Sequence, residues 1–517
     1  MNSRNRTKRS ALNAGMWPLL LVVALAFFPH QALPQTKAES APSSVVINVK
    51  APTTPFPHFW EKMFGSGHAV LSLRADYRHD LRMVKRVTDF RYVRFHGIFD
   101  RGVGLYHIGP NGQPIYNFSY VDQIYDGLLK NGIRPYVELS FMPPQLAAHH
   151  IVQPFFYHPI ISPPESWNAW GQLVYHFTRH LVDRYGINEV SHWYFEVWNE
   201  PNIGFWAGKP KQATYYKLYD AAARAIKRVS PRLRVGGPAT AQAAWVSSFI
   251  RHTTQDHVPV DFISSHIYGN DTAQNVFGLN EFIPRNQMVC RAVKKVYDEV
   301  KHSSRPNLPI IISEFNASYM NQPSVTDSVY MGPWLADTIR QCDGMTKMMS
   351  YWTFSDVFEE QGPVKKPFYG GFGLVAEGGV PKPAFNAFRL LHMLGHRRIP
   401  VDSNSVLATR HKDGSLSIAV WNYSAPKQAG VTKTILLHLA GLPADEHEVS
   451  LYRLDRHYGD ALAAYRAMGS PKYPTQKQFR ELRQAARMGP PQYFSLKSDQ
   501  LSLKLPPKAL FLVQIQR

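Results

Sequence analysis

Two stretches of the chain run from apolar residues straight into a glutamate. One is Tyr194-Phe195-Glu196-Val197-Trp198-Asn199-Glu200-Pro201-Asn202, and the other is Ile310-Ile311-Ile312-Ser313-Glu314-Phe315-Asn316. In each, a strand-forming run ends on a carboxylate, and Pro201 lacks the N–H that a continuing strand would use. Taken singly, either glutamate reads equally as a helix cap or the partner of a cation. As a pair, they are what glycosidic bond cleavage requires. One carboxyl group must be protonated to help the leaving oxygen depart, while the other is ionised to attack or stabilise the anomeric carbon. Burial and mutual repulsion push two such pKa values apart.

The surrounding pattern has to bring both groups to one place. Strand-like runs fall at 64–65, 92–95, 134–139, 194–199, 234–237, 262–266, 310–314 and 348–352. Amphipathic helical patterns lie between them, for example at 121–131, 167–185, 213–229 and 287–301. This alternation predicts a (β/α)8 barrel over residues 60–398. A doubly wound open sheet is the rival, but no Gly-rich phosphate turn follows an early strand. The 114 residues between positions 200 and 314 amount to three strand–helix units of about 38 residues each. Glu200 would then close strand four and Glu314 strand seven, both on the rim formed by the strands' C-terminal ends.

Other side chains fall on the same rim. His96 follows strand two, His266 and Tyr268 follow strand six, and Trp352 ends strand eight. Imidazole and phenol groups there could hold sugar hydroxyls, and an indole could stack on a sugar ring. The chain has 22 His, so each histidine also has a plain structural reading, as Trp352 does in the core. Glu138 and Glu196 lie within strands, where pairing with Arg or Lys is expected.

After about residue 400 the texture becomes short strands separated by turns: 406–410, 416–421, 434–439, 448–454, 501–505 and 509–514. These predict an antiparallel β-sandwich over 399–517, with a partly helical insertion at 456–491. The segment 33–59 contains Val45–Val49, which could add a strand. Residues 1–32 read as a signal peptide: a basic start, then 13 apolar residues from Met16 to Phe28, then a polar end. A bilayer span needs about 20 residues, so the expected product is exported, periplasmic or secreted, with no membrane span after cleavage. An uncleaved anchor is the alternative.

Lys and Arg number 58 against 38 Asp and Glu, a net charge of +20. Four of those charges lie in the first 32 residues, which hold no acid, leaving +16. Such a surplus concerns partners and solubility and not fold. No zinc-finger, basic-zipper or Lys/Arg block supports nucleic-acid binding. With two cysteines, Cys290 and Cys342, a disulfide framework or four-Cys zinc site is excluded. One disulfide is allowed, but nothing local brings the two together, and the reading favours two buried thiols. No metal-ligand spacing stands out around His149-His150 or elsewhere, and no Gly-x-Ser-x-Gly elbow supports a serine nucleophile. No cofactor is expected.

The chain resembles glycoside hydrolase family 39, the family of β-xylosidases and α-L-iduronidases, and most closely its xylosidase branch. The resemblance rests on Trp198-Asn199-Glu200-Pro201-Asn202, on Ser313-Glu314-Phe315-Asn316, and on Tyr351-Trp352-Thr353-Phe354-Ser355-Asp356-Val357-Phe358-Glu359-Glu360-Gln361-Gly362. Tyr369-Gly370-Gly371-Phe372-Gly373-Leu374 and Lys382-Pro383-Ala384-Phe385 extend it. It implies Glu200 as acid/base, Glu314 as nucleophile and Asn199 as a ligand of the sugar 2-hydroxyl. It also implies that at least one of Glu359 and Glu360 hydrogen-bonds the sugar. The implied activity is retaining, exo-acting β-D-xyloside hydrolysis on an oligosaccharide or polysaccharide. The alternatives are endo or exo action on another glycan, such as an iduronide, a uronic-acid polymer or an exopolysaccharide, or binding without turnover.

Overall fold

Eight parallel strands close into a barrel in the computed structural model, which describes residues 42–516. They are β1 (Met63–Gly65), β2 (Tyr92–Phe95), β3 (Arg134–Leu139), β4 (Tyr194–Val197), β5 (Arg234–Ala241), β6 (Phe262–Tyr268), β7 (Ile310–Asn316) and β8 (Met348–Tyr351). Each pairs with the next, and β8 returns to β1. Alternation along the strands splits their side chains between two cores. Val93, Phe95, Val137, Leu139, Phe195 and Val197 join the large apolar core under the helices. Met63, Tyr136, Tyr194, Phe262, Ile311 and Met348 form a separate apolar floor inside the barrel. Arg94, Glu138 and Glu196, each two residues further along its strand, are fully buried above that floor.

The helices follow from the same patterning. The helix Trp167–Tyr185 buries Trp170, Leu173, Val174, Phe177 and Leu181 on one face. Ser166 caps its start by accepting from the Ala169 N–H at 3.3 Å, and Gly186 ends it at φ 79°.

Strand β4 ends at Val197, two residues before the run expected from sequence does. Trp198 and Glu200 both take left-handed backbone conformations, φ 72° and 44°, so the chain leaves the ladder there. The Trp198 indole holds this turn from below. It is fully buried, packs edge-on against Phe141 and Trp206, and donates to the Phe205 carbonyl at 2.7 Å. Strand β7 carries one extra residue against β6: Ser265 pairs with Ile312 and His266 with Glu314, leaving Ser313 out of register. A bulge of this kind re-aims the side chains around it.

C-terminal to the barrel, a seven-stranded and a three-stranded sheet share an apolar core that includes Ile418, Val420, Ile435, Leu437, Val449 and Val513. The strand Ser43–Val46 joins the smaller sheet, pairing in parallel with Lys433–His438. Two helices, Ala461–Ala467 and Gln476–Ala485, lie between sandwich strands and pack Leu462, Tyr465 and Leu482 against Phe368, Ala376 and Val380 of the long segment after β8. The sequence expectation of a barrel with an accessory antiparallel sandwich is thus met. Residues 1–32, read as a signal peptide, lie outside the described residues. Among the described residues no helix is long and apolar enough to cross a membrane.

The cysteines correct the sequence reading. Cys290 and Cys342 form a disulfide across 52 residues, with their Cα atoms 5.2 Å apart. Cys290 lies on the helix Arg285–Lys301, and Cys342 ends the helix Met331–Cys342. Barrel winding places these two helices side by side, which no local feature of the chain reveals. Closing a loop of this length restricts the unfolded chain, and replacing both cysteines by Ala should lower unfolding stability by about 2–4 kcal/mol. Urea midpoints of wild type with and without reductant, and of the double variant, measure it. Identical midpoints would show that the bond contributes nothing to stability.

Candidate active site

A cavity of about 290 Å³ opens at the C-terminal rim, lined by Glu200, Glu314, Asn199, His96, Tyr268, Trp352 and Glu360 among others. One carboxylate oxygen each of Glu200 and Glu314 lies within 4.8 Å of the other. Glu200 is carried by the left-handed turn after β4, where its N–H donates to the Ala239 carbonyl of β5 at 2.8 Å. Glu314 sits at the bulge in β7.

Beneath them, Arg94 of β2 gathers the charges of three other strands. Its guanidinium donates to Glu196 and Glu314 at 2.7 Å each and to the Asn199 side chain at 2.9 Å. It also lies 2.7 Å from Glu138. Glu196 is further satisfied by the hydroxyls of Tyr136 at 3.0 Å and Ser313 at 2.6 Å, which gives the bulged Ser313 its function. Glu138 takes the His96 ring at 2.8 Å and the Ser140 hydroxyl. One guanidinium thus serves three buried carboxylates. Removing one partner of a buried pair costs about 3–5 kcal/mol because the other charge stays behind, so the set is interdependent.

The two facing glutamates do not share this support equally. Burial pushes both carboxyls up. For Glu314 that rise is opposed by Arg94 and by the Tyr268 hydroxyl, which donates at 2.6 Å. Glu200 goes well above the ordinary range, through burial and then the charge of Glu314; Arg94 opposes that rise without touching the carboxyl, and Asp271 and Glu138 add to it. Glu314 is therefore the first of the pair to ionise, and Glu200 keeps its proton longer. His266 has its Nδ1 3.0 Å from Glu200 and 3.5 Å from Glu314. Burial, reinforced by Arg94 and His96, drives its pKa far down, so the ring is neutral.

Most residues singled out from sequence meet here. Asn199, His96, Tyr268, Trp352 and Glu360 line the cavity, while His266 lies just below the two carboxyls. Burial and the charges of Glu314 and Glu200 push Glu360 well up too. Glu359 is not brought in. It pairs with Arg74 and lines a neighbouring cavity, because its left-handed backbone, φ 63°, turns it away from Glu360. Sequence reasoning missed Arg94, although a charge inside a buried strand demands counter-charges. It also missed Phe155, Gln242, Asp271, Tyr319 and Phe372 of the lining. These come from loops or strand ends with no periodic signal.

The loop after β8 is held by a fully buried triad: Lys382 lies 2.8 Å from Asp327 and 2.6 Å from Asp356. Asp356 also accepts the Gly373 N–H at 2.7 Å. A Cβ at Gly373 would meet the Asp356 backbone nitrogen at 2.3 Å. Close approach therefore explains this glycine of the Tyr369–Leu374 motif. Glu200, His266 and Glu314 are near enough to bridge a cation, but Arg94 already supplies the positive charge at Glu314.

A parallel barrel bearing two facing carboxylates on its C-terminal rim, with an accessory sandwich, is the architecture of a glycosidase. The chain belongs to glycosyl hydrolase family 39, whose sequence model it matches over residues 43–492. A β-xylosidase of Geobacillus stearothermophilus is 37% identical over 435 residues, 82% of this chain and 85% of that protein. A β-xylosidase of Caldicellulosiruptor saccharolyticus is 37% identical over 442 residues, 83% of this chain and 88% of that protein. Among solved structures, a monomeric β-xylosidase from Caulobacter crescentus CB15 aligns with TM-score 0.83 at 32% identity, over 92% of this chain and 99% of that chain. The protein hydrolyses O-glycosyl bonds.

Arg94 favours the ionised form of Glu314, so loosening it raises that carboxyl's pKa. Arg94→Lys, which keeps the charge but loses the forked geometry, should move the acid limb of the kcat/KM profile to higher pH. A pH–rate profile of a nitrophenyl glycoside measures this, and an unmoved acid limb would refute the linkage.

Proposed function

We propose that the protein is an exported, exo-acting β-D-xylosidase that retains anomeric configuration. Glu314 attacks the anomeric carbon while Glu200 protonates the departing oxygen; water then enters with Glu200 acting as base. The observation that carries the retaining reading is the approach of the two carboxylates, within 4.8 Å between oxygens. Inverting enzymes hold their carboxyls about 6.5–9.5 Å apart to admit a water. The unequal support of the two groups favours the same assignment, since a nucleophile must be charged and an acid must hold its proton. Asn199, oriented by Arg94 beside Glu314, suits the 2-hydroxyl, where a hydrogen bond strengthens as the transition state forms.

The lining favours a neutral pentose over a uronic acid. Among the described residues no Lys or Arg lines the cavity, and Glu360 does; a sugar carboxylate calls for a cation. The small cavity, walled by Trp352, Glu360 and Phe372, suits a terminal sugar. The disulfide is in keeping with an oxidising compartment, which supports the export reading of the N-terminus.

Wild type should hydrolyse nitrophenyl β-D-xyloside in preference to the α-L-arabinoside, β-D-glucoside and α-L-iduronide, releasing β-xylose first by NMR. Glu314→Ala should abolish turnover, and Glu200→Ala should slow it by about 10²–10⁴-fold on substrates needing protonation. Activity should rise as pH passes the Glu314 pKa and fall as it passes that of Glu200. Glu200→Gln should lose the falling limb. α-Xylose as first product, or turnover of the iduronide alone, would overturn the reading.

A further inference from the structure

We propose that the cleft between the barrel and the sandwich binds an acidic polysaccharide, one carrying uronate carboxylates, at a site that takes no part in catalysis. The cleft consists of a cavity of about 1460 Å³ and a neighbouring one of about 320 Å³, and Asn286, Gln287, Tyr423 and Lys433 line both. Arg291 and Arg340 of the smaller cavity are matched by Glu281 at 2.8 Å and Asp337 at 2.9 Å. Arg285, Lys427 and Lys433 are not: among the described residues none of the three pairs with a carboxylate. Arg285 is held in the wall by donating to the Ala317 carbonyl and the Gln322 side chain, each at 3.0 Å. Of the acids in the larger cavity, Glu281 is taken by Arg291. Asp271 is buried, which pushes its carboxyl up to about 7, and it is fixed on the Tyr268 N–H at 2.7 Å. A cleft whose unmatched charges are all of one sign focuses its field on an ion of the other.

Two further features point the same way. The helix Arg285–Lys301 begins in the wall with neither a side-chain cap nor an acid in its first turn, so its positive end is left for an anion. On the sandwich side Ser424 lines the larger cavity, and its buried hydroxyl has no hydrogen-bond partner, a costly state that a ligand oxygen would relieve. The rest of the lining selects a glycan. Amide side chains of Asn286, Gln287 and Asn321 serve sugar hydroxyls, and the Phe282 ring, 89% exposed, offers an apolar face to a pyranose. The three cations stand singly, which suits carboxylates spaced along a chain. A nucleic-acid backbone calls for a denser basic track. The net charge of +20, which the catalytic pocket does not use, draws such a polymer to the surface.

The test is calorimetric titration with hexagalacturonate, with neutral cellohexaose and with a single-stranded oligonucleotide of equal charge. Wild type is compared with Lys427→Ala/Lys433→Ala and with Lys472→Ala/Lys477→Ala. The second pair is exposed on the insertion, outside the cleft, and removes the same charge. Wild type should bind hexagalacturonate about tenfold more tightly than cellohexaose, and the cleft variant should lose about that factor while the control stays within about twofold. Bound hexagalacturonate should leave nitrophenyl glycoside turnover unchanged. Equal losses in the two double variants would reduce the effect to general charge attraction and overturn the proposal. Competitive inhibition of turnover, or tighter oligonucleotide binding lost in the cleft variant, would overturn it too. The titrations do not depend on turnover, so failure to hydrolyse xylosides would overturn the xylosidase reading alone.

Discussion

The buried guanidinium of Arg94 is the interaction on which the catalytic face depends. It sits among Glu138 of β3, Glu196 of β4, Glu314 of β7 and Asn199 after β4. Carboxylates this deep are tolerable only when paired and hydrogen-bonded. Tyr136, Ser313, Ser140 and His96 complete the satisfaction of Glu138 and Glu196. The set therefore works as a rigid polar layer between the apolar floor and the open pocket. It orients Asn199, and it makes Glu314 easier to ionise than Glu200.

That asymmetry is a consequence of position. Glu314 reaches down to Arg94 and accepts from Tyr268, while Glu200 hangs from a left-handed turn with Glu314, Glu138 and Asp271 acting on it. The turn stays in place because Trp198 is clamped among aromatic rings. Non-glycine residues in left-handed backbone cost about 1–2 kcal/mol each, which packing of this kind can offset. On the opposite wall, the Lys382 triad performs the corresponding task for the segment carrying Glu360 and Phe372. The insertion helices packed on Phe368 and Val380 link that wall to the sandwich.

Much of this was legible along the chain. Alternating strand and helix patterns indicated the barrel, because its strands are short apolar runs between amphipathic helices. Glu200 and Glu314 stood out because each ends such a run, three units apart. Asn199, His96, Tyr268 and Trp352 could be placed on the rim from strand ends, whereas Glu360 came in only through the family resemblance, undistinguished from Glu359. Glu359 shows the limit of that reasoning, since two adjacent glutamates look equivalent until the backbone turns one outward. Arg94 shows another: its strand was evident, but its partners come from positions 138, 196 and 314, and long-range pairing carries no local signal.

The sequence by itself determined the element pattern, the family and the pair of glutamates, because these reside in local periodicity and contiguous motifs. The tertiary structure decided what depends on distant residues meeting. It joined Cys290 to Cys342 by laying their helices together, and it put one guanidinium among three carboxylates. It also set the order in which Glu314 and Glu200 ionise. Burial and Coulomb interaction depend on distance in space, and that distance exists only once the barrel has closed.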